Sequence, residues 1–329
     1  MGWGIRGQYG HETGAMIAGV LVGFVLVLFY LPNASSLKAA RTVALLALGV
    51  SFGGSMTYGQ TIGLTHDAPL IGNWSALCWG LCGLFIKGGI WIGFAGAFLG
   101  LALSGKRYQP WELLLVMLAM LVLWMLGIWL INTPYDPANK VLPSVYFSDS
   151  WKFEPDGELK PRREIWGGLF LALVGLTSYF HLVRRDLLAR NMALIGFLSG
   201  GFGFPIGQSV QAFHAWNPEL YRSGWLGKLD PFMNWWNMME TSFGAIFGGL
   251  LAGGLWLNRH LIIQDEPRDQ VVIKPIWEFA LFEIFLILLV GVEFVEVRMI
   301  SLFLEFGFIM ALIPSLGILE RIWNCSSES

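Results

Sequence analysis

Two segments of the chain repeat one small set of polar side chains. Gly59-Gln60 is followed by His66, and Gly207-Gln208 is followed by His214, each histidine six residues after its glutamine. A carboxamide offers donors and acceptors, and an imidazole exchanges protons near neutral pH, so the pair suits a small polar ligand. The N-terminus carries a related string, Arg6-Gly7-Gln8, then His11-Glu12. Arg6 adds a planar fork that matches carboxylates and phosphates. Lys87 and Glu240 lie inside long apolar runs, where an ionisable group needs a partner or an aqueous cavity. The expected substrate site is therefore Arg6, Gln8, His11, Glu12, Gln60, His66, Gln208, His214, Lys87 and Glu240. The same glutamines and histidines also suit helix caps and backbone tethers. Glu293, Glu296 and Arg298 read as a polar turn.

The elements that must position these groups are membrane helices. Of 329 residues, 55% are hydrophobic and 13% charged, about half the charge of a soluble domain. Mean hydropathy is +0.59. Apolar runs of bilayer-spanning length recur along the chain. They predict an all-α integral membrane protein of about nine transmembrane helices, roughly 13–31, 40–57, 76–104, 111–131, 165–183, 191–207, 234–257, 276–295 and 299–319. The third run is long for one crossing, so it must tilt, break or project from the core. Glycines and Pro205 interrupt the segments that carry the two Gly-Gln pairs, which in transporters marks helices broken at a binding site. Cys78 and Cys82 read as small buried side chains, since C-x3-C without nearby histidine is a poor zinc site.

The two halves resemble each other. Ala40-Arg41-Thr42-Val43-Ala44-Leu45-Leu46 matches Ala189-Arg190-Asn191-Met192-Ala193-Leu194-Ile195, the Gly-Gln…His segments follow, and Pro110-Trp111-Glu112 resembles Pro275-Ile276-Trp277-Glu278. This predicts two four-helix repeats with the same orientation, plus one extra C-terminal helix. The division is 1–131 for the first repeat with its polar N-terminal segment, 132–163 for a linker loop outside the membrane, 164–296 for the second repeat, and 297–329 for the extra helix and tail. Gly89-x3-Gly93, Gly96-x3-Gly100, Gly244-x3-Gly248 and Gly249-x3-Gly253 suit close helix packing. Lysine and arginine follow the first, third, fifth and seventh runs, and the 58–73 loop has neither. That asymmetry places the N-terminus outside and the C-terminus in the cytoplasm of a plasma or inner membrane.

Function is bounded rather than named. A net charge of −2 gives no basic field for nucleic acid. No Walker loop, H-E-x-x-H or C-x-x-C-H haem motif occurs, so no cofactor is expected and no enzyme class is assigned. Three readings stand. One is a permease or secondary transporter for a small polar solute, with a site between the repeats near the outer side. Another is an intramembrane enzyme at the outer leaflet, using His11-Glu12 or His66-Asp67. The third is a non-catalytic subunit of a larger complex. The partners are the lipid bilayer, a small polar solute and other membrane proteins. Most of the 16 tryptophans fit an interfacial aromatic belt.

Overall fold

A computed structural model describes residues 11–32, 36–106, 108–155 and 160–263. Among these the chain is all-α. The helices are α1 His11–Tyr30, α2 Ser36–Gly53, α3 Gly59–His66, α4 Trp74–Leu103, α5 Pro110–Ile131, α6 Trp166–Leu182, α7 Leu187–Trp216, α8 Gly224–Leu229 and α9 Trp235–Leu257. The expected runs at 276–295 and 299–319, and with them the extra C-terminal helix, lie outside the described residues. Four stretches are long and apolar enough to cross a membrane: Trp74–Leu103, Trp111–Ile131, Leu187–Trp216 and Trp235–Leu257. Ala18–Tyr30 and Trp166–Leu182 are shorter and also apolar.

Helix α4 is the axis of the bundle. It is buried along most of its length and packs most extensively on α7, with α2 and α3 on its other sides. Helix α1 packs on α2, α9 on α7, and α5 on α6. Glycine sets the α4–α7 distance. A Cβ added at Gly200 would lie 1.9 Å from the Gly88 carbonyl oxygen, one at Gly96 would lie 2.0 Å from that of Met192, and one at Gly196 would lie 2.3 Å from that of Ile92. The two backbones touch over three turns, which only residues without side chains permit. The α5–α6 pair is built the same way, with Gly127 against the Gly167 carbonyl and Gly168 against that of Trp124.

Hydrophobicity is distributed for a lipid solvent. The α5 window has mean hydropathy 2.7 and is 12% buried, whereas the α4 window has 1.7 and is 83% buried. In water the order would be reversed, because exposed apolar area is costly there. The outer face of α5 carries Trp111, Leu115, Leu118, Val122, Met125 and Trp129, all exposed, at spacings of three and four.

A break between α2 and α3 has a visible cause. The indole of Trp91 on α4 donates from Nε1 to the Val50 carbonyl at 2.6 Å. Any side chain at Gly53 or Gly54 would strike the Trp91 backbone or ring. The Val50 carbonyl still accepts from the Gly54 amide at 3.1 Å, and α2 ends at the two glycines that the Trp91 contact requires, glycine being a poor helix former. Tyr58 then packs on the rings of Trp91 and Phe204, and α3 begins at Gly59. The segment of the second Gly-Gln pair, expected to be broken as well, is not. Helix α7 runs 30 residues through Pro205, past the expected end at 207. Proline interrupts membrane helices less than soluble ones because the freed groups find other partners. The long third run is likewise one unbroken helix of 30 residues, roughly 45 Å at 1.5 Å per residue and longer than a bilayer core. Cys78 and Cys82 are exposed rather than buried, because they share the outward face of α4 with Trp74 and Ser75.

Two ends of the bundle can be distinguished. At one, Lys38 Nζ donates to the Ile263 carbonyl at 2.5 Å, the Ile263 amide donates to that of Leu103 at 3.2 Å, and Ser104 Oγ donates to Asp186 at 2.6 Å. At the other lie α3, the 132–165 loop and α8. Replacing Gly200 by alanine is predicted to destabilise the fold by about 1–3 kcal/mol, the usual cost of overpacking. Gly59→Ala, where a Cβ meets nothing within 4 Å among the described residues, should leave the thermal midpoint in detergent unchanged. Equal losses in the two variants would remove the close crossing as the organising contact.

Candidate functional site

Lys87 occupies the middle of α4, 87 − 74 = 13 residues from its first residue, and is 1% exposed. Its ammonium donates to Glu164 Oε1 at 2.6 Å, Thr61 Oγ1 at 2.7 Å and the Thr57 carbonyl at 2.8 Å, with Ser148 Oγ at 3.4 Å. All three ammonium donors are thereby used. Glu164 is saturated from its own side. Ser148 Oγ donates to Oε1 at 2.8 Å, while the Phe147 amide and Trp166 Nε1 donate to Oε2 at 3.0 and 3.2 Å. The Thr57 carbonyl is available to Lys87 because it lies in the α2–α3 break, outside any helical ladder.

This centre draws the 132–165 loop into the bundle. Thr61 and Ser148 hydroxyls meet at 3.2 Å, and Trp79 Nε1 donates to the Tyr146 carbonyl at 2.8 Å. Tyr146 donates onward to the Arg162 carbonyl at 2.9 Å. Gln60 clamps the far end of the loop, donating to the Lys160 carbonyl at 3.1 Å and accepting from the Arg162 amide at 2.9 Å. Asp149 follows Ser148 and is 8% exposed, with Oδ1 making no hydrogen bond among the described residues. Burial, then the nearby carboxylates Asp67 and Glu154, push its carboxyl up to about 7, against the opposing charge of Lys87.

Helix α3 connects this centre to the second half of the chain. Thr65 accepts at Oγ1 from Gln208 Nε2 at 2.7 Å, and its carbonyl accepts from Trp216 Nε1 at 2.8 Å. The two Gly-Gln…His segments therefore meet, but at a threonine rather than at the histidines. The buried oxygens Gln208 Oε1 and Gln211 Oε1 have no partner among the described residues. Gly207 lies against the Met239 carbonyl of α9, so Gln208, Gln211 and Glu240 flank one crossing. Glu240 is 1% exposed and accepts from Trp236 Nε1 at 3.1 Å.

The expected site residues thus fall into separate settings. Gln208 and Thr65 come together, and Lys87 sits one helix away through Thr61. Gln60 serves the loop. His66 Nδ1 lies 3.0 Å from the Ile62 carbonyl in its own helix. His214 turns to the α8 side, where Nε2 is 2.9 Å from Asp230 and the ring stacks on Trp235. His11 and Glu12 open α1, and their side chains, like Arg6 and Gln8, lie outside the described residues. Sequence reasoning missed Glu164, Ser148, Asp149, Thr61 and Thr65. The available signal was Lys87, since a lysine in an apolar helix demands an acid, and the 132–165 loop is rich in them.

Among the described residues no group of three or more histidine, cysteine or acidic side chains could hold a metal ion. Compared with known protein families, curated proteins and solved structures, the chain has no match in any of the three.

Removing one member of the buried pair leaves the other charge uncompensated, at a cost of about 3–5 kcal/mol. Lys87→Met and Glu164→Gln should each be that destabilised, and the double variant less than their sum in a chemical-unfolding cycle. Additive losses would mean that the two side chains are energetically independent. Asp149 gives a pH signature. Its folded pKa is raised, so the native state keeps a proton that the unfolded chain releases above about 4. Stability should fall as pH rises from there through about 7. Asp149→Asn should abolish that decline in the thermal midpoint, and an unchanged decline would place its origin elsewhere.

Proposed function

We propose that the chain is a multi-pass membrane permease or secondary transporter that takes a small polar solute at its loop-bearing end. The observation that carries this reading is the half-helix α3. It starts after a break in the bundle and meets α7 beside buried oxygens that have no partner among the described residues, Gln208 Oε1, Gln211 Oε1 and, in the adjoining loop, Asp149 Oδ1. Discontinuous helices beside unsatisfied polar groups are how many transporters build substrate sites. Buried acceptors without donors are rare unless a ligand or water supplies the hydrogen. Because the open positions are acceptors, the solute should carry hydroxyl or amino donors, as a sugar or polyol does. Trp74 and Trp216, edge to face at 4.9 Å, stand at the same end.

We read the two halves as a duplication, which would fit the same picture. The stretch 36–66 corresponds to α7, and matched asparagine caps precede α4 and α9, with Asn73 accepting from the Ala76 amide and Asn234 from that of Asn237. We place the end that carries Lys38, Lys106, Arg184 and Arg259 in the cytoplasm, by the bias of positive charge in short loops. The loop-bearing end then faces outward.

A second reading, a subunit of a larger membrane complex, is favoured by one feature. An apolar groove of about 400 Å³ between α1 and α9 is lined by Gly244, Gly248 and Gly249, a shape that accepts another helix. A thermal-shift panel of sugars, polyols, amines, carboxylates and inorganic anions on the detergent-purified protein separates the two. Binding to the native state raises the midpoint by mass action. The permease reading expects a hydroxyl- or amino-bearing solute to stabilise wild type and not Gln208→Leu or Gln211→Leu. No stabilising solute, or one whose effect survives both substitutions, would overturn it and favour the subunit reading.

A further inference from the structure

The segment that follows the 132–165 loop presents a charge that nothing in the bundle uses. Arg163 is exposed and makes no hydrogen bond or ion pair among the described residues, whereas its neighbour Glu164 is turned inward to Lys87. Lys160 and Arg162 are exposed beside it. The stretch is held by its backbone: the Pro161 carbonyl accepts from Tyr135 at 2.6 Å, and that of Arg162 from Tyr146 at 2.9 Å. The backbone leading to Arg163 is therefore held against the bundle, and its exposed side chain starts from a set position.

Beneath it runs an apolar groove of about 370 Å³ between the end of α5 and the start of α6. Its walls are Trp124, Met125, Ile128, Trp129 and Ile165, and Thr133 and Arg163 form its polar mouth. From Thr133 to Trp124 is nine residues (133 − 124), roughly 14 Å of helix at 1.5 Å per residue, the scale of the upper part of an acyl chain. Trp129, one turn from Thr133, gives an amphipathic ring at headgroup depth. A cation at the mouth of an apolar furrow, on a helix whose outer face is hydrocarbon-like, matches an amphiphile with an anionic head.

We propose that this groove is a binding site for an anionic phospholipid, with its phosphate on Arg163 and one acyl chain along Trp124, Ile128 and Trp129. Arginine suits phosphate because its fork donates two parallel hydrogen bonds. A zwitterionic lipid carries a choline cation that offsets the same phosphate, so net-anionic lipids are preferred. The site would anchor the loop end, and with it Glu164, at the membrane surface. It rests on the membrane reading but not on the solute site.

The test is native mass spectrometry of the full chain from nanodiscs containing phosphatidylglycerol and phosphatidylcholine together. Wild type should retain phosphatidylglycerol over phosphatidylcholine by about tenfold, because only in phosphatidylcholine does a choline cation offset the phosphate charge. Arg163→Gln should bring the two lipids to parity. Trp129→Ala should reduce retention of both. Arg222→Gln, the same charge change at the same end but away from the groove, should keep the preference. An equal midpoint in detergent for wild type and Arg163→Gln checks folding. Equal retention by wild type, a preference that survives Arg163→Gln, or an equal loss in Arg222→Gln would overturn the site. Retention of neither lipid by any protein would instead sink the membrane reading, and the site with it.

Discussion

An ammonium group placed deep in a buried helix has to be answered by the rest of the fold. Desolvating it costs several kcal/mol unless a counter-ion and further acceptors surround it. At Lys87 those are supplied by three separate pieces of chain: Glu164 before α6, Ser148 in the loop, and the Thr57 carbonyl and Thr61 at the start of α3. None of these is local in sequence. Meeting them brings the loop into the bundle, and the Thr57 carbonyl that Lys87 uses lies in the break between α2 and α3. The position of α3, and through Thr65 its contact with Gln208, follow from satisfying that one cation.

The second constraint is the solvent. In a bilayer the apolar surface of a helix gains nothing by being buried, so helices associate through close backbone contact. This explains why glycine, not leucine, lines the α4–α7 and α5–α6 contacts, and why the most exposed long helix is the most apolar. Tryptophan plays two parts in this setting. Trp91 packs inside against the two glycines where α2 ends, while Trp79, Trp166, Trp216, Trp235 and Trp236 each donate an indole hydrogen bond at the loop-bearing end.

Much of the helical skeleton was legible, because apolar run length is a local property. The runs expected at 76–104 and 111–131 became Trp74–Leu103 and Pro110–Ile131. The extent of α7 was not legible, since Pro205 ordinarily ends a helix in water. Lys87 was recognisable as anomalous from its surroundings alone. Its partner was not: Glu240, expected in the same site, accepts instead from Trp236 on its own helix. Glu164 sits in a loop, where an acid is unremarkable until the fold is known. Glutamine and histidine in matched segments suggested one cluster, yet helix rotation sends Gln60 to the loop, His214 to Asp230 and only Gln208 to Thr65.

In the permease reading, the polar groups between α3 and α7 line a site that opens to the loop-bearing end, rather than filling a sealed core. The most direct measurement is labelling of Gln211→Cys by a membrane-impermeant thiol reagent, with Cys78, Cys82 and Cys325 replaced. Lys152→Cys in the exposed loop serves as the reactive reference, and Leu84→Cys in the buried face of α4 as the silent one. Gln211→Cys should react from the loop side and be protected by the solute that stabilises the wild type. A cysteine at 211 as silent as that at 84, in a protein whose position 152 reacts fully, would contradict it.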